Sequence, residues 1–72
     1  MIQAASAQDA VAAYYPSWQV AECRKTGDST YCRIRKVVAG AVAEEKFVMV
    51  DEERRGDRTL YSVCEADAFD AT

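Results

Sequence analysis

The first fifteen residues carry the alternation of apolar and polar positions that is typical of a short amphipathic helix. Ser6 stands three residues before Asp9, a spacing at which a helix-capping serine accepts a hydrogen bond from the first turn. The residue before Pro16 is disfavoured in helical conformation, so the helix should end there. The pattern predicts a helix over residues 7–15, and residues 2–5 are a candidate for a short leading strand that would add a fifth strand to the sheet. The apolar face recurs at spacings of three and four and comprises Ala7, Ala10, Val11 and Tyr14.

From residue 18 the period changes to that of strands, with predicted strands over 18–25 and 30–38. Gly27 stands at the first central position of the connection, where it suits a two-residue type II′ turn. This turn places Cys23 opposite Cys32, Glu22 opposite Arg33 and Ala21 opposite Ile34. The pairing of opposite charges supports the same register independently.

A second hairpin is predicted from strands over 47–53 and 59–65 around a turn at 55–58, with Val50 opposite Val63 and Met49 opposite Cys64. Residues 39–45 join the hairpins as a loop, a helical turn or a bulged strand extension. The tail, residues 66–72, should fray unless Phe69 docks on the core. The expected fold is α+β, a single small domain over residues 1–72 with one short N-terminal helix packed on an antiparallel sheet of about four strands.

The amino-acid composition excludes several classes of function. The 72 residues are 50% hydrophobic, which fits one small folded domain and no membrane-spanning segment. Histidine is absent, and the three cysteines form no C-x-x-C pair, so we expect no metal, no cofactor and no enzyme activity. The N-terminus has no secretory signal and the cysteine count is odd, which together predict a cytoplasmic protein with reduced thiols.

Two alternatives remain for the cysteine pair. Cys23 and Cys32 are expected about 4.5 Å apart at their Cα atoms, which a disulfide can bridge. The other interpretation is a pair of small buried hydrophobic residues, which the cytoplasmic expectation favours. Cys64 is expected in the core.

The face of the first hairpin that lies opposite the cysteines is a candidate binding face. Arginines beside a tyrosine can hold phosphates or a carboxylate-rich partner, while the plainer interpretation is a solvated outer face. We expect this face to present Arg24, Tyr31, Arg33 and Arg35, together with Trp18.

Carboxylates are concentrated in the second half of the chain, where residues 37–72 carry nine acids and four bases. Alternation points Glu52 away from its two neighbours, so the run is no catalytic dyad. The acidic residues have two interpretations. The functional one is a surface that binds a basic groove of a partner, and the structural one is a charged strand edge that prevents aggregation. The candidate partner-binding residues are Glu44, Glu45, Asp51, Glu52 and Glu53.

Residues 2–10, Ile-Gln-Ala-Ala-Ser-Ala-Gln-Asp-Ala, resemble the I-x-A-A-S-x-x-x-A segment of small phage-encoded anti-CRISPR proteins that act on type I effector complexes. In those proteins this segment is a strand that runs into a capped helix, followed by a short antiparallel sheet. The resemblance implies a stoichiometric inhibitor that binds a Cas subunit in the host bacterial cytoplasm and blocks recognition of target DNA. This chain is more acidic, so no contact residue is transferred.

The sequence therefore predicts a small intracellular protein-binding inhibitor whose acidic residues oppose lysines and arginines of a Cas subunit. The alternative is a small nucleic-acid-binding or regulatory module that uses the arginine–tyrosine face. Direct binding of nucleic acid is the less favoured of the two, because the chain has a net charge of −3. A homodimer is compatible with either function.

Overall fold

The computed structural model describes residues 1–69 and folds them into one helix on a five-stranded antiparallel sheet. The α+β prediction is confirmed, but the sheet has five strands and not four, because the short leading strand pairs with the last one. In chain order the elements are β1 (Ile2–Gln3), α1 (Ala7–Tyr14), β2 (Gln19–Thr26), β3 (Ser29–Val38), β4 (Ala41–Arg55) and β5 (Arg58–Ala66).

The helix bridges the two edges of the sheet. The strand order is β1-β5-β4-β3-β2, so the strands that flank α1 in the chain lie at opposite edges. All neighbouring strands are antiparallel, and four reversals leave β1 and β2 running in the same direction. The helix must therefore cross one face of the sheet, where it contacts β5, β4 and β2.

The N-cap of α1 is the predicted one, and the C-terminus differs by one residue. The Ser6 side chain accepts a hydrogen bond from the backbone N–H of Asp9 at 3.2 Å. Tyr15 leaves the helix at φ −129° and ψ 69°, which turns its side chain towards the core. The prediction that Tyr14 lies on the apolar face is wrong, since that side chain is exposed.

The core lies between the helix and one face of the sheet, which we call the helix face. Ala10 and Val11 from α1 are buried against it. Side chains alternate between the two faces along a strand, so only every second residue of β2–β5 reaches this layer. The strand residues of the helix face that pack in the core are Val20, Cys23, Cys32, Ile34, Val48, Val50, Tyr61 and Val63.

The register of the β2–β3 hairpin is confirmed next to the turn and wrong at its far end. Gly27 has φ +63°, as the first residue of a type II′ turn requires, and the pairing holds as far as Glu22 opposite Arg33. A β-bulge then makes Ala21 an extra residue, so that Val20 and not Ala21 pairs with Ile34. The bulge brings the larger valine side chain onto the core.

Residues 39–45 are a bulged strand extension, one of the three predicted alternatives. Strands β3 and β4 continue to a two-residue turn at Ala39 and Gly40, whose φ values of +53° and +80° indicate a type I′ turn. A register shift leaves Ala43 as the bulged residue. This end of the hairpin extends past both neighbouring strands, which leaves Val38 and Val42 more than half exposed.

A disulfide joins Cys23 of β2 to Cys32 of β3, with their Cα atoms 4.0 Å apart. The favoured expectation of two reduced thiols is therefore wrong, and the disulfide alternative is right. Cys32 is fully buried on the helix face, so the bond ties an edge strand to the centre of the sheet from inside the core.

We expect reduction of this disulfide to lower the free energy of unfolding by about 2–3 kcal/mol, because it removes a cross-link across a loop of about ten residues. Denaturant unfolding of oxidised and reduced protein measures the difference, with Cys64→Ser in both samples to exclude disulfide exchange. Equal unfolding free energies in the two samples would show that the bond contributes nothing to stability.

Candidate functional site

The face of the sheet opposite the helix has no helix or strand of residues 1–69 packed on it, and we call it the open face. Among residues 1–69, only the segment after β5 returns over it, where the Phe69 ring lies 5.9 Å from the Phe47 ring. The charged, aromatic and other large strand residues of the open face include Glu22, Arg24, Tyr31, Arg33, Arg35, Glu45, Phe47, Met49, Asp51, Glu53, Arg55, Arg58, Leu60 and Cys64.

The predicted arginine–tyrosine face corresponds to part of the open face. The Arg33 guanidinium lies 2.9 Å from the Glu22 carboxylate and 3.6 Å from that of Glu45, so carboxylates of two neighbouring strands hold it. Arg24 stacks over the Phe69 ring at 4.7 Å. Tyr31 is buried at 7% exposure, between its paired neighbours on β2 and β4, and it cannot contact a partner broadly.

Arg35 differs from Arg24 and Arg33 on the same face. It is half-buried, and its Nε atom is buried with no hydrogen-bond partner among the described residues. A guanidinium carries donors in a fixed fork and loses free energy when a buried donor has no acceptor. Arg35 is therefore the arginine of this face that gains most from an added carboxylate or carbonyl.

Trp18 does not lie on the open face, so its placement with the arginines is wrong. It packs against the core on the helix face, with its ring 6.2 Å from that of Tyr15 in an edge-to-face arrangement. A tight turn in which the Trp18 N–H donates to the Tyr15 carbonyl at 3.0 Å brings the two rings together. The bulge at Ala21 reverses the alternation on which the expectation depended.

The five acidic residues of β4 do not form one surface. Alternation along the strand points Glu44 and Glu52 to the helix face and the other three to the open face. The first and last members lie nine residues apart, or about 30 Å along an extended strand. The predicted acidic surface is therefore divided into separate groups near the two ends of β4: Glu44 and Glu45, and Asp51, Glu52 and Glu53.

The acidic residues on the open face are in part satisfied within the chain. Asp51 accepts a hydrogen bond from the Ser29 hydroxyl at 2.8 Å, and Glu53 lies 3.3 Å from the Nε atom of Arg55. The second carboxylate oxygen of Glu53 is buried with no partner among residues 1–69. These contacts reduce the negative charge that the Asp51–Glu53 end presents to a partner.

Apolar side chains at the centre of the open face are the feature that the sequence interpretation missed. Phe47 and Met49 are half-buried there, and Met49 is paired with Tyr31. Leu60 is half-buried on the same face but lies opposite Glu53, near the β4–β5 turn. The signal of Phe47 and Met49 is visible in the sequence, because the run from Phe47 to Val50 is apolar at every position and not at alternate ones. A strand that is apolar on both sides is typical of a sheet with both faces covered.

Cys64 was expected in the core, and this prediction is wrong. The residue lies on the open face. Its side chain is exposed, and its thiol lies 3.9 Å from the backbone carbonyl of Met49. The disulfide-bonded cysteines lie on the helix face, so the free thiol and the disulfide are on opposite sides of the sheet.

A second cluster, also missed, surrounds Lys46 at the side of the helix face. The Lys46 ammonium lies 2.7 Å from the Glu65 carboxylate, 4.9 Å from the Trp18 ring centre and 5.6 Å from that of Tyr15. The hydrogen bond that Lys46 donates to the Glu65 carboxylate raises the pKa of Lys46 above its usual value. The cluster is filled by the chain's own lysine, which indicates a stabilising contact between the helix corner and the sheet.

Within residues 1–69 no group of three histidine, cysteine or carboxylate side chains is placed to hold a metal ion. In the same part of the chain, no helix has the length and apolar character needed to cross a membrane. Comparison of the chain with protein-family models, with curated proteins and with solved structures gives no match.

The stability of the protein should fall as the pH rises above about 10. Burial and then the Glu52 carboxylate raise the pKa of Tyr61 above its usual 10.0, and Glu65 raises that of Lys46 above 10.5. The folded state holds both protons more tightly, so this stabilisation is complete below the unfolded pKa values and is lost as the pH rises through the folded ones.

Urea unfolding between pH 8 and pH 11 measures this dependence. Tyr61→Phe should weaken it, whereas Tyr14→Phe at an exposed tyrosine should leave it unchanged. The assignment to Tyr61 is contradicted if the two variants have the same pH profile.

Proposed function

We propose that this protein is a small binding domain that acts by occupying a surface of another protein through its open face. The observation that carries the proposal is an apolar centre, formed by Phe47 and Met49 beside the buried Tyr31, on a sheet face that only Phe69 returns to cover among the described residues. A charged rim around such a centre is the usual anatomy of a protein–protein interface.

The charges of the open face favour a protein over a nucleic acid. Its strands carry four carboxylates and five arginines, and carboxylates of this face hold two of the arginines, Arg33 and Arg55. A phosphate backbone is bound by a large excess of positive charge, whereas five arginines less four carboxylates leave this face at only +1 and the whole chain has a net charge of −3. A protein surface of mixed charge can satisfy both signs, and Arg35 in particular needs an acceptor for its Nε–H.

The resemblance of residues 2–10 to anti-CRISPR proteins supplies a specific partner for this proposal, a Cas subunit of a type I effector complex. The protein would then act as an inhibitor by covering a surface that target DNA must reach. Binding through the open face replaces the acidic run as the expected contact, because the carboxylates of β4 are divided between two faces. This mode requires neither a cofactor nor catalysis.

The disulfide bears on where this function takes place. Disulfides persist mainly in oxidising compartments, and the bacterial cytoplasm is reducing. An inhibitor of a cytoplasmic complex must therefore bind with Cys23 and Cys32 reduced, whereas a protein exported from that compartment acts with the bond formed. The experiment accordingly uses both forms.

The test is a titration of oxidised and reduced protein into a purified type I effector complex, with binding of a labelled target duplex followed by gel mobility. We expect the complex to lose its target when the protein reaches equimolar amounts. Unchanged target binding at a large excess of both forms would refute the Cas subunit as partner. Binding of the duplex by the protein itself would support the nucleic-acid alternative and contradict the proposal.

Reversing the charge of Arg33 tests whether the open face is the binding surface. Arg33→Glu should weaken binding roughly 30-fold, since interface hot spots of this kind contribute about 2 kcal/mol. Arg54→Glu makes the same charge change at an exposed position of β4 that alternation places on the helix face, and it should have little effect. Thermal unfolding of both variants checks that they fold, and equal loss of affinity in the two would contradict a role for the open face.

A further inference from the structure

The disulfide is attached to an edge strand of the sheet. Strand β2 has β3 as its one strand neighbour among residues 1–69, and the bulge at Ala21 interrupts their pairing. Cys23 lies in the regularly paired part of β2, between the bulge and the β2–β3 turn. Edge segments open locally at a lower free energy than interior strands, because fewer contacts hold them. The bond from Cys23 to Cys32 is a covalent tie that opposes this opening.

The two cysteines of the disulfide differ in exposure. Cys32 is fully buried on an interior strand, whereas Cys23 is half-buried on the edge strand, so a dithiol reductant reaches Cys23 first. Its thiolate forms a mixed disulfide with the Cys23 sulfur, the original S–S bond breaks, and Cys32 leaves as a thiolate that takes up a proton. The second thiol of the reductant then releases Cys23 as a thiol and closes the reductant's own disulfide. The protein gains two electrons and two protons, which the dithiol supplies.

The neighbours of Cys23 along β2 hold two groups of the open face. Glu22 accepts a hydrogen bond from the Arg33 guanidinium at 2.9 Å. Arg24 stacks over the Phe69 ring at 4.7 Å. Because side chains alternate along a strand, Cys23 itself points to the helix face and packs in the core. The disulfide on one face therefore fixes the strand whose side chains hold contacts on the other.

We propose that the Cys23–Cys32 disulfide is a redox switch, which covers the open face when oxidised and uncovers it when reduced by a dithiol. In the oxidised protein, the fixed position of β2 keeps Arg33 paired and keeps the Phe69 ring 5.9 Å from that of Phe47. Reduction lets β2 separate from β3 more often, which frees Arg33 of one of its two carboxylates and uncovers Phe47. This inference rests on the proposed function, because it states which form of the protein binds through that face.

Hydrogen exchange of the isolated protein tests the switch without any partner. The samples are Cys64→Ser protein with the bond intact and the same protein treated with dithiothreitol, both without denaturant. We expect dithiothreitol to open the bond in the folded protein. Exchange of the amides that join β2 to β3 should then rise roughly tenfold more than exchange of the amides that join β4 to β5. Resistance of the bond until denaturant is added, or an equal rise in both strand pairs, would overturn the proposal.

A second measurement follows the open face directly. Through-space NMR contacts between the Phe47 and Phe69 rings should weaken on reduction, and a soluble paramagnetic agent should relax the Phe47 ring signals more strongly. Cys23→Ala with Cys32→Ala should show the weak contact with and without dithiothreitol, which separates loss of the bond from other effects of the reductant. Phe47 signals that stay unchanged when the wild-type bond is reduced would refute control of the open face.

Titration of the effector complex separates the switch from the proposed function. The reduced protein should bind roughly tenfold more tightly than the oxidised protein, because its binding-competent state is more populated. Equal affinities of the two forms would overturn the switch and leave the proposed function intact. Absence of binding by both forms would refute the proposed partner, while the exchange and NMR results on the isolated protein decide the switch.

Discussion

A single helix of eight residues covers only one side of the sheet, and the rest of the structure follows from that limit. A chain of this length buries a smaller share of its surface than a larger domain, so it can fill one apolar layer and not two. Ala10 and Val11 complete that layer against the central strands. On the second face, long side chains of the strands, ion pairs between neighbouring strands and Phe69 provide the only contacts among the described residues.

Three different interactions stabilise the helix face and the helix that packs on it. The disulfide fixes β2 to β3 from within the core, and the Ser6 cap fixes the start of the helix. At the other end of the helix, Lys46 connects the aromatic corner of Tyr15 and Trp18 to the sheet and to Glu65. Because these contacts lie on the helix face, binding through the open face, as we propose, would leave the core unchanged.

The sequence predicts the features that depend on local chemistry. Turn residues and charge pairs determine the hairpin registers, so Cys23 opposite Cys32 and Val50 opposite Val63 are both confirmed. The N-cap depends on one serine and one backbone amide three residues away, and it is confirmed as well. A few residues that are close in the sequence determine each of these features.

The wrong predictions concern positions whose conformation depends on packing against an element far away in the sequence. The bulge at Ala21 forms because Val20 fills the core better than alanine, and nothing local marks it. That one extra residue moves Trp18 to the other face. The type I′ turn at Ala39 is equally hidden, because alanine is not a residue that this positive φ favours. The division of the β4 carboxylates, by contrast, follows from alternation and could have been predicted in full.

Solvent accessibility of neighbouring methyl groups on β4 tests the account most directly. Val48 is fully buried on the helix face, Met49 is half-buried on the open face, and Met1 is 66% exposed. With a soluble paramagnetic agent, we predict relaxation of the Met49 methyl signal that is intermediate between strong relaxation at Met1 and none at Val48. Protection of Met49 equal to that of Val48 would show that the open face is covered, and would contradict its assignment as a binding surface.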